Sequence, residues 1–101
     1  CPIGNLALEV ADSHPEIRPL IQQNFDGWSA YVRKWLVDAG DRLPRDLDRD
    51  QLAATVLTVM EGGLMQARSS RSASAYDASV GQLRAYFDLL LARASAGRSQ
   101  P

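Results

Sequence analysis

The sequence predicts an all-α domain, an antiparallel bundle of four helices that dimerises through its last two helices. No segment alternates apolar and polar residues with the period of two expected of half-buried strands, and each organised segment follows a helical repeat instead. A chain of 101 residues can bury one core. The third and fourth helical segments each carry more than one apolar face, which is more than a small monomer needs.

The first two helices are predicted from their apolar stripes and their end signals. The face of the first helix, over residues 3–12, consists of Ile3, Leu6, Ala7 and Val10. The second helix is predicted over residues 15–39, with Gly40 as its C-terminal stop. Pro19 leaves two possible starts, because proline is tolerated in the first turn of a helix but not further inside it. The helix either begins near Arg18 or is kinked at its start.

A polar connection that contains Pro44 leads to the third helix. Asp48 is its predicted N-cap, and Gln51 follows at the spacing of a capping box. This helix is expected to end near Ser69 or Arg71, in the serine-rich stretch "RSSRSAS". The fourth helix is predicted over residues 75–94. The folded domain should therefore cover residues 1–95, and residues 96–101 should form a short disordered tail.

The fourth helix shows the surplus of apolar surface most clearly. One seam advances in steps of four and three residues and consists of Tyr76, Val80, Leu83, Phe87, Leu90 and Ala94. A second seam lies on roughly the opposite side and consists of Ala78, Ala85, Leu89 and Ala92. One seam can face the core of its own chain. A second copy in a twofold homodimer is the simplest partner for the other, and the sequence leaves open which seam faces it.

Two adjacent glycines lie inside the third helix, where each costs about 1 kcal/mol relative to alanine. We interpret Gly62 and Gly63 as a close helix crossing in the dimer; the alternative is close packing or a bend within one chain. The predicted dimer interface consists of small, polar and apolar residues of the last two helices: Thr55, Val59, Gly62, Gly63, Gln66, Ala78, Ala85, Leu89 and Ala92.

Composition and charge exclude several classes of function. The chain is 46% hydrophobic and 23% charged with a formal net charge of −1, so it lacks the basic excess that attracts nucleic acid. No apolar run is long enough to cross a bilayer, and no signal peptide is visible. The single cysteine, Cys1, excludes an internal disulfide and a multi-cysteine zinc site. These features predict a cytoplasmic chain that does not bind membranes.

Few residues are suited to catalysis. The single histidine, His14, precedes Pro15 in a turn that leads into a helix, where it is expected to be exposed, and one histidine is not enough for a metal site. Cys1 is more typical of an apolar filler than of a nucleophile. The stretch "EGGL" lacks the lysine and hydroxyl residue of a phosphate-binding loop. Arg68 and Arg71 are explained by the helix dipole. We expect no enzymatic activity, no cofactor, no metal and no direct DNA contact here.

Aromatic residues of the second helix predict either a core or a ligand pocket. Trp28, Tyr31 and Trp35 recur at spacings of three and four residues. Cavities between bundle helices bind apolar ligands, and Glu61 is the one acid that could hold a cationic ligand there, although the sequence favours a solvated helix-surface role for it. The predicted pocket residues are Leu6, Trp28, Tyr31, Trp35, Met60, Glu61 and Leu64.

Two stretches of the chain carry a resemblance to a known family. The first, "CPIGNLALEVADSHPEIRPLI", opens a short helix with Cys1, Gly4, Asn5, Leu6 and Ala7. The second, "DQLAATVLTVMEGGLMQAR", is marked by Leu52, Ala53, Glu61, Gly62, Ala67 and Arg68. Together they resemble the C-terminal regulatory domain of the TetR/AcrR family of bacterial transcriptional repressors, over residues 1 to about 94.

The resemblance implies a repressor that binds operator DNA as a homodimer and releases it when a small apolar or amphipathic effector enters this domain. It implies that the last two helices form the four-helix bundle of the dimer. It also implies that DNA is contacted only through an N-terminal helix-turn-helix domain, which we expect to be absent from this chain. The alternative function is a helical dimerisation or adaptor domain without a small-molecule site.

Overall fold

The structure, a computed structural model, describes residues 2–10 and 12–98. They form four α-helices: α1 (Pro2–Val10), α2 (Arg18–Asp38), α3 (Arg49–Ser70) and α4 (Ser74–Arg98). A short 3₁₀ turn (Gly40–Arg42) lies between α2 and α3. These described ranges contain no strand, so the predicted all-α class with four helices is confirmed. Cys1, predicted as an apolar filler, lies outside the described residues.

The ends of α2 and the start of α3 follow local sequence signals. α2 begins at Arg18 with Pro19 in its first turn, which is the first of the two predicted starts. Gly40 follows the C-cap with a φ of +56°, a conformation that favours glycine. The Asp48 carboxylate accepts a hydrogen bond from the Gln51 N–H at 3.0 Å, which confirms the predicted N-cap of α3.

α4 is longer than predicted. It continues to Arg98, so residues 96–98, which the sequence placed in a disordered tail, are helical; residues 99–101 lie outside the described part of the chain. Ala96 favours a helix but Gly97 does not, and the Arg98 guanidinium donates a hydrogen bond to the backbone carbonyl of Asp41. This hydrogen bond joins two residues that are distant in the sequence, so local sequence patterns could not predict where α4 ends.

The helices lie side by side in chain order, with α3 in contact with both α2 and α4. Three residues separate α3 from α4, which forces the chain to reverse its direction. The ion pair between Arg33 and Asp50 joins the second half of α2 to the first turn of α3, so this pair is also antiparallel. The Cα extents are 58 × 31 × 16 Å. The bundle is therefore flat, and α3 is its central helix.

The core occupies one end of this flat bundle, where the end of α2, the connection to α3, the start of α3 and the second half of α4 meet. Its buried members are Leu36, Leu43, Leu52, Ala53 and Leu90. The α4 seam that begins at Tyr76 packs towards this core, since Leu90 and Ala94 are buried and its other members are half-buried. This seam therefore faces its own chain.

The Arg49 side chain fastens the connection between α2 and α3. Its guanidinium donates to the backbone carbonyls of Gly40 at 2.9 Å and Leu36 at 3.1 Å, and to those of Pro44 and Leu47 at 3.5 Å each. Carbonyls at the end of a helix lack partners within the helix, and the Leu36 carbonyl lies in the last turn of α2. The Arg49 guanidinium therefore holds the connection between α2 and α3 in place over the core.

Candidate functional site

An open groove of about 500 Å³ lies between α2 and α3. Its lining is mostly apolar, with two carboxylates, and consists of Gln22, Phe25, Asp26, Ser29, Ala54, Leu57, Thr58, Glu61, Gly62 and Met65. The α3 members recur at steps of three and four residues, so they share one face of that helix. Among the described residues that line the groove there is no lysine, arginine or histidine. The groove therefore suits an apolar molecule and carries negative charge.

Glu61 has an unusual environment for a carboxylate. Its side chain is half-buried, and its Oε2 atom is buried and accepts no hydrogen bond from the described residues. No ion pair within the described ranges involves Glu61. The sequence favoured a solvated surface role for this residue, whereas its Oε2 atom is buried.

Phe25, which lines the groove, also contacts the ring of Trp28. Its ring lies edge-on to the Trp28 ring, with centroids 5.8 Å apart and an interplanar angle of 83°. Trp28 is half-buried and lies next to the lining rather than in it. Its fluorescence should therefore respond to a molecule that contacts Phe25.

Most of the predicted pocket residues lie elsewhere. Of the seven, only Glu61 lines the groove; the six others are Leu6, Trp28, Tyr31, Trp35, Met60 and Leu64. Tyr31 and Trp35 of α2 are 65% and 64% exposed. Met60 and Leu64 of α3, also predicted to line a pocket, are not among the residues that line this groove.

Sequence reasoning missed the other nine lining residues of the groove, among them Phe25, Ala54, Thr58 and Met65. Ala54 and Met65 lie beside the broad apolar stripe of α3 rather than within it, so the apolar pattern alone does not select them. The usable signal was their spacing: residues 54, 58 and 65 fall on the same helix face as Glu61.

A second, shallower groove of about 480 Å³ lies between α3 and α4. Its lining consists of Thr55, Val59, Ala78, Ser79, Gln82, Leu83 and Tyr86. It thus brings together three predicted interface residues, Thr55, Val59 and Ala78. The remaining α4 candidates, Ala85, Leu89 and Ala92, are exposed, as is Gln66 on α3, and Leu89 is 69% exposed. This α3–α4 face leaves apolar side chains uncovered.

The two glycines of α3 have different surroundings. Gly63 is buried, and a Cβ at this position would lie 3.1 Å from Tyr76 Cδ2 and 3.2 Å from Tyr76 Cα. The close crossing at Gly63 is therefore between α3 and α4 of one chain, which is the alternative to the predicted crossing between two copies. A Cβ at Gly62 would meet nothing within 4 Å.

The polar residues in a depression beside the end of α4 include an ion pair that stabilises the fold. Arg93 donates to the Asp46 carboxylate at 2.7 Å, and this hydrogen bond, with the guanidinium charge, lowers the pKa of Asp46 against the opposing effect of desolvation. Both side chains are largely exposed. Within the described ranges, no three histidine, cysteine or acidic residues group together as metal ligands would.

Residues 1–80 match the family model described as "Transcriptional regulator LmrA/YxaF-like, C-terminal domain". The chain belongs to this family. It is therefore a C-terminal domain of a TetR-family transcriptional regulator, and the resemblance seen in the sequence is confirmed. Comparisons with curated proteins and with solved structures gave no match.

The matched region contains the whole α2–α3 groove of this TetR-family domain. It covers α1, α2, α3 and the first residues of α4. Transcription regulation is the role of the family, whose C-terminal domains are generally dimeric and bind small-molecule effectors. None of the helices in the described ranges is long and apolar enough to cross a membrane.

Proposed function

We propose that this domain senses a small apolar or amphipathic effector in the α2–α3 groove and joins two copies of a cytoplasmic repressor through its α3–α4 face. The observation that carries this proposal is the position of α3. One side of this helix lines the apolar groove, and another side forms the α3–α4 face with its uncovered apolar side chains. One rigid element thus takes part in both surfaces.

The shared helix suggests how effector binding reaches the DNA. A molecule in the groove contacts α2 and α3 together and favours one spacing of these helices. Two α3–α4 pairs packed on each other form a four-helix bundle that fixes the relative positions of the two subunits. The effector releases operator DNA only if it binds the DNA-free arrangement more tightly than the DNA-bound one. The DNA itself is contacted by a helix-turn-helix domain that is not among these 101 residues.

The groove is tested by filling it. We expect the neutral apolar dye Nile red to bind the wild-type domain with increased fluorescence, and Ala54→Trp to weaken this binding by about tenfold or more, because the indole occupies the volume that the dye needs. Ala96→Trp introduces the same side chain on the exposed part of α4 and should leave binding unchanged. If Ala54→Trp binds the dye as well as the wild type does, the groove is not the site. A wild-type domain that binds no apolar probe favours the adaptor alternative.

The dimer face is tested with a buried charge. In sedimentation velocity experiments we expect the wild-type domain to be a dimer and Ala85→Arg to weaken dimerisation on the order of 100-fold, because the guanidinium would be desolvated without a partner. Ala30→Arg makes the same change on the exposed side of α2 and should leave the dimer intact. An Ala85→Arg protein that dimerises like the wild type would place the interface elsewhere.

A further inference from the structure

We infer that the α2–α3 groove selects an amphipathic organic cation, whose charged group is held by the Glu61 carboxylate. This inference rests on the proposed function, because it concerns the same groove. It adds the chemical class of the effector, which the family match leaves open.

The first observation is the unpartnered oxygen of Glu61. A carboxylate has lone pairs for several hydrogen bonds, and a buried acceptor without a donor costs free energy. Oε2 of Glu61 is in this position, and the residue lines the groove. A cationic N–H donor on a ligand would supply both the hydrogen bond and the opposite charge.

The second observation is the charge of the groove as a whole. Asp26 lines it together with Glu61, and its Oδ1 accepts a hydrogen bond from the Gln22 amide at 2.9 Å, which leaves the charge of the carboxylate uncompensated. The lining described above contains no cation. An anionic ligand would therefore be repelled, while a cation would be attracted before it makes any contact.

The third observation is the apolar lining next to these carboxylates. Phe25, Leu57 and Met65 offer an aromatic face, a branched side chain and an adaptable thioether. A ring face also attracts cations, so Phe25 can contact either end of such a ligand. The groove volume of about 500 Å³ suits a drug-sized molecule with one cationic group on an apolar body.

The test uses three probes that share one apolar body: 4-phenylbutylammonium, 4-phenylbutanol and 4-phenylbutyrate. Binding to the wild-type domain is measured by calorimetry and by Trp28 fluorescence, with Trp35→Phe as the background that removes the exposed tryptophan. We expect the ammonium to bind about tenfold more tightly than the alcohol, and the carboxylate to bind more weakly than either. Equal binding of ammonium and alcohol overturns the inference but leaves the groove as the effector site. Failure of the alcohol and the ammonium alike to bind counts against the groove itself.

Glu61→Gln keeps the shape of the side chain and removes its charge. We expect this variant to bind the ammonium and the alcohol within about threefold of each other, with unchanged helicity. Glu16→Gln removes a charge from an exposed side chain before α2 and should preserve the tenfold preference. If Glu61→Gln retains the preference, the cation is held by another group. If this variant does not fold, the preference of the wild-type domain still decides the inference.

Discussion

Gly63→Ala is expected to lower the free energy of unfolding, whereas Gly62→Ala, one residue earlier, is expected to raise it. Both changes gain about 1 kcal/mol of helix propensity. Only the methyl group at position 63 would be forced against Tyr76, including its Cα atom, which cannot rotate away. Overpacking of this kind costs about 1–3 kcal/mol, so the two variants should differ by that amount. Larger side chains at position 63 should have larger effects.

Urea unfolding followed by far-ultraviolet circular dichroism measures this difference. Each variant is the control for the other, because the substitution is the same and the positions are adjacent on one helix. If both variants are stabilised to the same extent, the close approach of α3 and Tyr76 is not present in solution.

Arg49→Ala is expected to destabilise the domain by about 2–3 kcal/mol. The substitution removes the donors from four backbone carbonyls and frees the connection that covers Leu43 and Leu52. Arg49→Lys should recover only part of the loss, because an ammonium group cannot reproduce the planar set of donors.

Arg45→Ala is the matched control for Arg49→Ala. Arg45 lies in the same connection, is exposed and forms no hydrogen bond or ion pair with a described residue. Its replacement should change the free energy of unfolding by less than about 0.5 kcal/mol. Equal effects of the two substitutions would mean that Arg49 acts through its charge alone.

The sequence predicted those features of the fold that depend on neighbouring residues. Asp48 and Gly40 were assigned correctly as helix-end residues because a cap is a contact within one turn of the chain. The end of α4 was wrong because it depends on Arg98 and Asp41, which are distant in sequence. The four-helix, all-α class followed from periodicity alone.

The site was harder to predict, because a helical stripe shows that a face is apolar but not which helix it meets. Tyr31 and Trp35 satisfied the spacing of a pocket wall but are largely exposed and do not line the groove. Gly63 satisfied the pattern of a contact between two copies of the chain, but it packs against Tyr76 of its own chain. Glu61 is the one predicted pocket residue among those that line the groove, and the sequence pointed to it because acids are rare on that part of α3.

Consecutive residues of α3 belong to different surfaces. Ala54 and Thr58 line the α2–α3 groove, while Thr55 and Val59 line the groove towards α4. Under natural selection, one residue of each such pair can change while its neighbour stays fixed. A lineage of these regulators could therefore acquire a new chemical signal without losing the ability of its subunits to recognise each other.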